Sequence, residues 1–301
     1  MTERKSICVT GANGFVGTHL VKRLLADGRN VRAFVKDAGS AASLQETGAQ
    51  VVQGNIKDVD SLAKAFKDVE AVVHLVAITR ERKDDNFRTV NKLGARNVVE
   101  AMGRAGTKRL VFTSISTAGP NASSAYLRSK WAAEEEIRKS TADWTILRLG
   151  LIYGPGGKAI GTMAAMARRL PVIPVFGDGK YQQQPIYVGN VVDCLSKTLG
   201  MDETTKQVYD VAGPTALSYN RMMDLIAARV SKKRPKIHLP LALMRPFISL
   251  GQKVLPNPLV TIPELDLLID NPIPDRNRIT DVFGIDPLPM EEGLTQTFAD
   301  H

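Results

Sequence analysis

The residues that most constrain this chain are three glycines near its start: Gly11, Gly14 and Gly17, in Val9-Thr10-Gly11-Ala12-Asn13-Gly14-Phe15-Val16-Gly17-Thr18-His19-Leu20. An apolar stretch, Ile7-Cys8-Val9, precedes them, and an amphipathic helical pattern from Phe15 to Leu25 follows. Glycine tolerates positive φ and lets a backbone approach a ligand closely. The helix N-terminus behind such a turn offers free N–H groups and a partial positive charge to an anion. The spacing is Gly-x-x-Gly-x-x-Gly rather than the commoner Gly-x-Gly-x-x-Gly, but the strand before and the helix after supply the context that a diphosphate-binding turn needs. That context favours a bound dinucleotide over a ligand-free βα turn.

The rest of the first half repeats the same alternation. Strands are predicted at Ile7–Thr10, Val31–Val35, Ala49–Gln53, Ala71–Val76, Arg109–Thr113 and Thr145–Leu149, with helices at Phe15–Ala26, Ala41–Thr47, Val59–Phe66, Asn86–Ala105 and Ser124–Lys139. Short apolar runs alternating with amphipathic helices imply βαβ units and a doubly wound parallel α/β sheet, with the ligand at the carboxyl ends of the strands. After Leu149 the chain turns rich in Gly and Pro, with one predicted helix at Ala159–Arg169; helix and strand return at Asn190–Leu199 and Gln207–Val211. Beyond Gly213 it is helical and punctuated by proline. The division predicted is a dinucleotide-binding domain over 1–150, a small, mostly helical substrate lobe over 151–182 and 213–301, and a return to the first domain over 183–212.

Composition narrows the function classes. Hydrophobic content of 44% and charged content of 24% are those of a soluble globular protein. No apolar run approaches the ~18 residues of a membrane span, and a first strand beginning near Ser6 leaves no room for a leader. Cys8 and Cys194 are the only cysteines, which fits a reducing, cytoplasmic location. His19, His74, His238 and His301 lack metal-ligand spacing, so no metal site is expected. The net charge of +9 gathers at Arg80-Glu81-Arg82-Lys83, Arg168-Arg169 and Lys232-Lys233-Arg234-Pro235-Lys236. With aromatics at 6% and no nucleic-acid motif, that charge points to a phosphorylated cofactor or a membrane surface rather than to nucleic acid, or to a plain solvated surface.

A second motif carries the chemistry: Tyr126-Leu127-Arg128-Ser129-Lys130. Residues i and i+4 share a helix face. An ammonium near a phenol favours the phenolate and lowers its pKa, which suits tyrosine to acid–base work near neutral pH. The same lysine can reach a cofactor ribose.

With these motifs the chain resembles the extended and atypical branches of the short-chain dehydrogenase/reductase family, the NAD(P)-dependent epimerases and dehydratases. The resemblance runs along nearly the whole chain. It rests on the glycine turn, Gly54-Asn55-Ile56-Lys57-Asp58, Val72-Val73-His74-Leu75-Val76-Ala77, Val90-Asn91-Lys92-Leu93-Gly94-Ala95, Tyr126/Lys130, Arg148-Leu149-Gly150-Leu151-Ile152-Tyr153-Gly154-Pro155-Gly156, Phe176-Gly177-Asp178-Gly179 and Ile186-Tyr187-Val188-Gly189-Asn190-Val191. It implies a cofactor seat made by Gly11, Asn13, Gly14, Phe15, Val16 and Gly17. Asn55, Ile56 and Asp58 would lie toward the adenine, with Val76 and Ala77 along the cofactor. Asn91 would stand behind the site, and Leu149 and Ile152 would border the nicotinamide. Tyr126 would be the acid/base and Lys130 its partner. In Thr113-Ser114-Ile115-Ser116-Thr117, one alignment puts Ile115 at the catalytic serine and another puts Ser116 there; Ser116 is taken first and Ser114 second. Asn190 stands in place of the family's aspartate, with an effect expected on helix capping only.

An acidic residue usually ends the second strand of NAD-binding proteins. Here Lys36 stands there, followed by Asp37, so NADP(H) is favoured and NAD(H) remains open. The implied substrate is a nucleotide sugar or a hydrophobic carbonyl or alcohol. A nucleotide sugar would want a diphosphate-binding cation such as Arg168, Arg169 or Arg221. A homodimer through the helices at 86–105 and 124–139 is compatible with the family pattern. The tail from Leu239 to Leu259 resembles that of the branch containing the accessory NADPH-binding subunit of respiratory complex I, whence a non-catalytic, membrane-peripheral subunit as the alternative function. Its apolar segment is read first as a core helix of the small lobe and second as a membrane-interface or apolar-substrate lid.

Overall fold

The computed structural model describes residues 6–37, 39, 42–230, 234–254, 260–269, 273–274 and 277–299. The first half alternates β1 (Ser6–Thr10), α1 (Phe15–Ala26), β2 (Val31–Val35), α2 (Ala42–Gln45), β3 (Gln50–Gln53), α3 (Val59–Phe66), β4 (Val69–His74), α4 (Leu93–Ala105), β5 (Arg109–Ile115), α5 (Ala125–Arg138) and β6 (Asp143–Leu149). There follow β7 (Ile152–Tyr153), α6 (Lys158–Arg169), β8 (Ile173–Phe176), β9 (Gln182–Gln183), β10 (Ile186–Tyr187), α7 (Val188–Thr198), β11 (Gln207–Val211), β12 (Leu217–Ser218), α8 (Tyr219–Val230), β13 (Lys236–Leu239), α9 (Leu241–Val254), α10 (Ile262–Ile269), α11 (Ile279–Phe283) and α12 (Met290–Thr297).

Seven strands form one parallel sheet in the order β11-β6-β5-β4-β1-β2-β3. The order reverses between β1 and β4, so the chain leaves these neighbouring strands in opposite directions and opens a crevice at their carboxyl ends. The period-2 alternation sorts side chains to two faces. Ile7, Val9, Val73 and Val111 lie in a core with Leu20, Leu24, Val191 and Leu195. Cys8, Val72, Leu110 and Phe112 lie in a second core with Leu62, Phe66, Val98 and Ile137. A third core lies where Ile160 and Met163 of α6 meet Met222, Met223 and Ile226 of α8 and Leu294 of α12. β11 joins the large sheet, and Ile279, Phe283 and Ile285 pack in the first core rather than in the third.

Several predicted bounds shift by one or two residues, and two of the shifts bear on the site. β4 ends at His74 instead of Val76, because β1, its ladder partner, ends at Thr10 and only Leu75 N–H still reaches the Thr10 carbonyl, at 3.2 Å. The helix expected over Asn86–Ala105 begins with a π-helical turn at Arg88–Lys92.

The apolar segment after β13 departs from the core-helix expectation. Ile248 of α9 is buried and Leu241 and Met244 pack beside it, whereas Leu243, Phe247, Leu250 and Val254 face outward. Asn190 does not cap α7, which has Tyr187 at its N-cap. Its side-chain oxygen instead accepts a 2.9 Å bond from Leu288 N–H, because the residue already lies inside the helix facing the C-terminal segment.

Candidate functional site

A cleft of about 240 Å³ opens at the β1/β4 switch point. Gly11, directly after β1, has φ +73, and an added Cβ would sit 3.2 Å from Val76. Gly14 N–H bonds the Gly11 carbonyl at 2.9 Å, closing the turn, and Gly14 is the N-cap of α1 without a side-chain cap. The first N–H groups of α1 are thus left for a ligand. Gly17 does a different job. A Cβ there would lie 2.1 Å from the Gly11 carbonyl oxygen and 2.8 Å from Ala12, so only glycine lets α1 pack so close to the turn. Phe15 packs edge-on against His19, with ring centroids 5.7 Å apart, and faces the Gly156-Gly157 loop.

Eight predicted cofactor residues come together on the cleft wall. Gly11, Asn13 and Gly14 form its floor, Lys36 closes the end of β2, and Asn55, Ile56, Val76 and Ala77 line the flanks. Phe15, Val16, Gly17, Asp58, Asn91, Leu149 and Ile152 are not on that wall. Val16 and Ile152 pack against the first core and Leu149 lies within it.

Asp58 has a structural task. Its carboxylate caps α3, accepting from Asp60 N–H at 3.0 Å and Ser61 N–H at 3.3 Å, because the turn after Asn55 sets it at a helix start with unpaired donors. Asn91 braces the site from behind. Its amide exchanges bonds with Ile78 backbone (2.9 and 3.1 Å) and donates to Ser129 Oγ at 2.9 Å, tying the loop after β4 to α5.

The cleft's outer end holds residues that the sequence reading missed. Asp85 lines it, and its carboxylate bridges Lys36 Nζ at 2.9 Å and Lys57 Nζ at 2.7 Å; Lys57 also donates to the Asp84 carbonyl. Hydrogen bonds from Lys57 and then Lys36 hold the Asp85 carboxyl below the usual carboxylate range. Arg80, in the same loop, makes a bidentate pair with Glu264 of α10 at 2.7 and 2.8 Å, fixing the loop to the C-terminal helices. Lys57 was legible beside Asn55-Ile56; Asp85 sits in a charged stretch with no local pattern to single it out.

At the carboxyl end of β5 the hydroxyls of Ser114, Ser116 and Thr117 are buried without a hydrogen-bond partner. Buried polar groups are nearly always paired, so three orphans at one strand end fit a site that a ligand completes. Tyr126 and Lys130 are both buried at the start of α5, whose N-cap Ser124 accepts from Leu127 N–H at 3.2 Å. The predicted tuning of the phenol is reversed. Tyr126 lies among Phe87, Leu127, Ile78, Ile115, Ala122 and Leu267, and burial pushes its phenol up to about 12. Lys130 Nζ donates to the Thr113 carbonyl at 2.7 Å and sits 4.3 Å from the Phe112 ring centre. Burial draws its ammonium down to about 8, against an opposing pull from Glu134. Among the described residues no hydrogen bond joins Tyr126 to Lys130 or Ser116. His74, at the end of β4, is buried and held neutral, drawn down to about 3 by desolvation and then by Lys130; its Nδ1 pairs with Thr10 Oγ1 at 2.8 Å.

Several known proteins are similar to this chain. A ceramide reductase of Caulobacter vibrioides is 30% identical over 67% of this chain, which spans only 62% of that protein's length. The 40 kDa subunit of Neurospora crassa mitochondrial NADH-ubiquinone oxidoreductase is 22% identical over 93% of this chain and 75% of its own. Among solved structures, the Bacillus cereus UDP-glucuronic acid 4-epimerase in complex with UDP-glucuronic acid and NAD superposes with a TM-score of 0.75 at 19% identity, covering 98% of each chain, a likeness of fold. Residues 11–167 match the family described as NAD(P)H-binding, and the chain belongs to that family, within the extended short-chain dehydrogenases/reductases.

Proposed function

We propose that this protein is an NAD(P)-dependent oxidoreductase that transfers hydride at a hydroxyl- or carbonyl-bearing carbon of a hydrophobic substrate, with NADP(H) as the favoured cofactor. The observation that carries this reading is the apolar surround of Tyr126, made by Phe87, Ile78, Ile115, Ala122 and Leu267, close in sequence to the unpartnered hydroxyls of Ser114 and Ser116. Such a seat favours an apolar body around one polar oxygen. Of the three cations that a nucleotide sugar would want, two have partners already: Arg221 pairs with Glu291 and Arg168 lies over Phe298, while Arg169 is exposed.

In this reading Gly11, Asn13 and Gly14 seat the diphosphate, Asn55, Ile56, Val76 and Ala77 flank the adenosine, and Lys36 with Lys57 takes a 2′-phosphate. Ile152, partly buried beside the first core, borders the nicotinamide, which when bound would supply or accept the hydride, and Leu149 backs it from within that core. Ser116, with Ser114 second, orients the substrate oxygen. Tyr126 exchanges a proton with that oxygen, and Lys130 keeps positive charge nearby. Segments 151–182 and 213–301 form the substrate lobe, less the stretch 279–285, whose Ile279, Phe283 and Ile285 pack on the domain made by 1–150 and 183–212. A second reading, a non-catalytic NADPH-binding subunit, draws on one observation: Lys130 bonds the Thr113 carbonyl rather than Tyr126.

The test is to identify any cofactor carried through purification, measure NADPH and NADH affinities, and follow NADPH oxidation with long-chain ketones. Tyr126→Phe is expected to lower kcat by at least about 100-fold and to leave NADPH affinity unchanged. Full activity in that variant overturns the assignment of Tyr126. Retained NAD⁺ with turnover of a nucleotide sugar replaces the reading by an epimerase, and tight NADPH with no turnover of any substrate tried favours the binding subunit.

A further inference from the structure

The outward side of α9 is apolar, and the chain around it is basic. Leu243, Phe247, Leu250 and Val254 are 62%, 69%, 60% and 70% exposed. At about 100° per residue they fall within roughly 60° of the helix circumference, so they form one narrow stripe. The helix is anchored by its other side, where Leu241, Met244 and Ile248 pack with Phe176 and Leu265. A single exposed leucine is ordinary, whereas four large apolar residues aligned on one helix mark a contact surface.

The charge around the stripe selects the partner. Residues 225–263 contain seven Lys or Arg and no Asp or Glu, so most of the chain's +9 lies in this one segment. Lys236 and Arg245 pair with Asp224 and Asp266, carboxylates from outside the segment, each at 2.7 Å. Arg234 is exposed. Two copies of this chain meeting through α9 would oppose like charges, which disfavours a homodimer here. An anionic surface reverses the sign. The stripe is the convex face of a helix rather than a groove, and a plane of acyl chains under acidic headgroups accepts a convex apolar ridge with a cationic surround. Among the described residues no helix is long and apolar enough to cross a membrane, so the contact is a lying one.

We propose that α9 docks this protein on an anionic bilayer, with Leu243, Phe247, Leu250 and Val254 entering the headgroup–acyl boundary and the exposed Arg229 and Arg234 meeting acidic headgroups. The contact stands close to the candidate site. α10 packs Leu265 against Ile248 of α9, and its Leu267 packs in the cluster around Tyr126. One helix therefore separates the lipid-facing layer from the phenol, a placement suited to a substrate that resides in the bilayer. The docking itself does not depend on the hydride-transfer reading.

Flotation of the full chain with vesicles tests it. Binding is expected to vesicles of phosphatidylcholine mixed with phosphatidylglycerol and not to pure phosphatidylcholine, and it is expected to weaken as salt screens the charges. The double variant Leu243→Ser/Phe247→Ser should lower vesicle affinity at least about tenfold while keeping its thermal melt and NADPH affinity. Arg229→Gln/Arg234→Gln should weaken the preference for the anionic lipid. Absence of binding to the mixed vesicles, or binding that Leu243→Ser/Phe247→Ser leaves intact, overturns the proposal. A reversible dimer in sedimentation that the same variant abolishes assigns the stripe to a second copy and overturns it equally.

Discussion

Asp85 offers the sharpest perturbation, because its carboxylate occupies the two lysines proposed to take a 2′-phosphate. It bridges Lys36 and Lys57 at the mouth of the cleft. If NADP(H) places its phosphate between these two cations, the phosphate must displace Asp85, and the ion pairs broken are a cost of binding. Both pairs are open to water: the Lys36 side chain is 65% exposed and that of Lys57 33%. Pairs of this kind are worth about 0.2–1 kcal/mol each. Together they amount to about 1 kcal/mol, or about fivefold in Kd. Asp85→Asn removes the competing carboxylate and leaves both lysines in place. It should tighten NADPH about fivefold at low salt, less at high salt, and leave NADH within about twofold. Fluorescence titration of the reduced cofactors reads both affinities. Weakened NADH with unchanged NADPH would refute the reasoning, since it would make Asp85 a partner of a free ribose hydroxyl and reverse the cofactor preference.

Three further outcomes follow from packing and charge. Gly17→Ala puts a methyl into the Gly11 carbonyl and Ala12 backbone; it should cost about 1–3 kcal/mol of stability in urea unfolding and weaken dinucleotide binding, and a melt equal to wild type would contradict the close approach. Glu134 is fully buried between Arg138 and Arg148, at 2.7 and 2.8 Å. Glu134→Gln should destabilise by about 3 kcal/mol, the low end for a broken buried pair because both guanidinium side chains still reach water. His74 titrates near 3 in the folded protein against an ordinary 6.5, so the unfolded chain binds its proton first. The stability this gives is complete above pH 6.5 and is lost as pH falls toward 3. Between pH 6.5 and 4.5 wild type should lose about 2–3 kcal/mol more than His74→Asn in urea midpoints, and parallel pH curves would count against a buried neutral imidazole.

How much of this could be read from the sequence depended on the range of the forces involved. α1 and α3 appear with the predicted bounds, because period and punctuation are local: Gly11 and Gly14 before Phe15, and the cap Asp58 before Val59. Leu75 and Val76 read as strand because they are apolar, yet they are apolar as cleft wall. The pairs β7/β10 and β9/β12 are two residues per strand, too short to show any period. Lys36 was legible from its place after β2, whereas Asp85 reaches it across 49 residues. The α9 stripe was read first as core, since pattern alone reveals an apolar face and not what covers it.

The reversed phenol is the most instructive difference, because it bears on the direction of the proposed reaction. The sequence shows the charge of Lys130 but not the depth at which it sits. Burial acts on both partners and destabilises the charged form of each. The phenol rises to about 12 and the ammonium falls to about 8. At neutral pH both groups therefore hold their protons. A phenol this reluctant to ionise is a poor base toward an alcohol, and it becomes a useful acid when a carbonyl oxygen takes on negative charge in its apolar seat. Lys130, being the weaker acid's neighbour with the lower pKa, is the group of the pair that gives up its proton first as pH rises. The pair is thus protonated for carbonyl reduction below pH 8, the direction that consumes a reduced nicotinamide, with or without a 2′-phosphate. The two lysines at the other end of the cleft bear on which cofactor is taken, and the two buried groups at α5 bear on the direction of hydride transfer, one set through charge and the other through its absence from water.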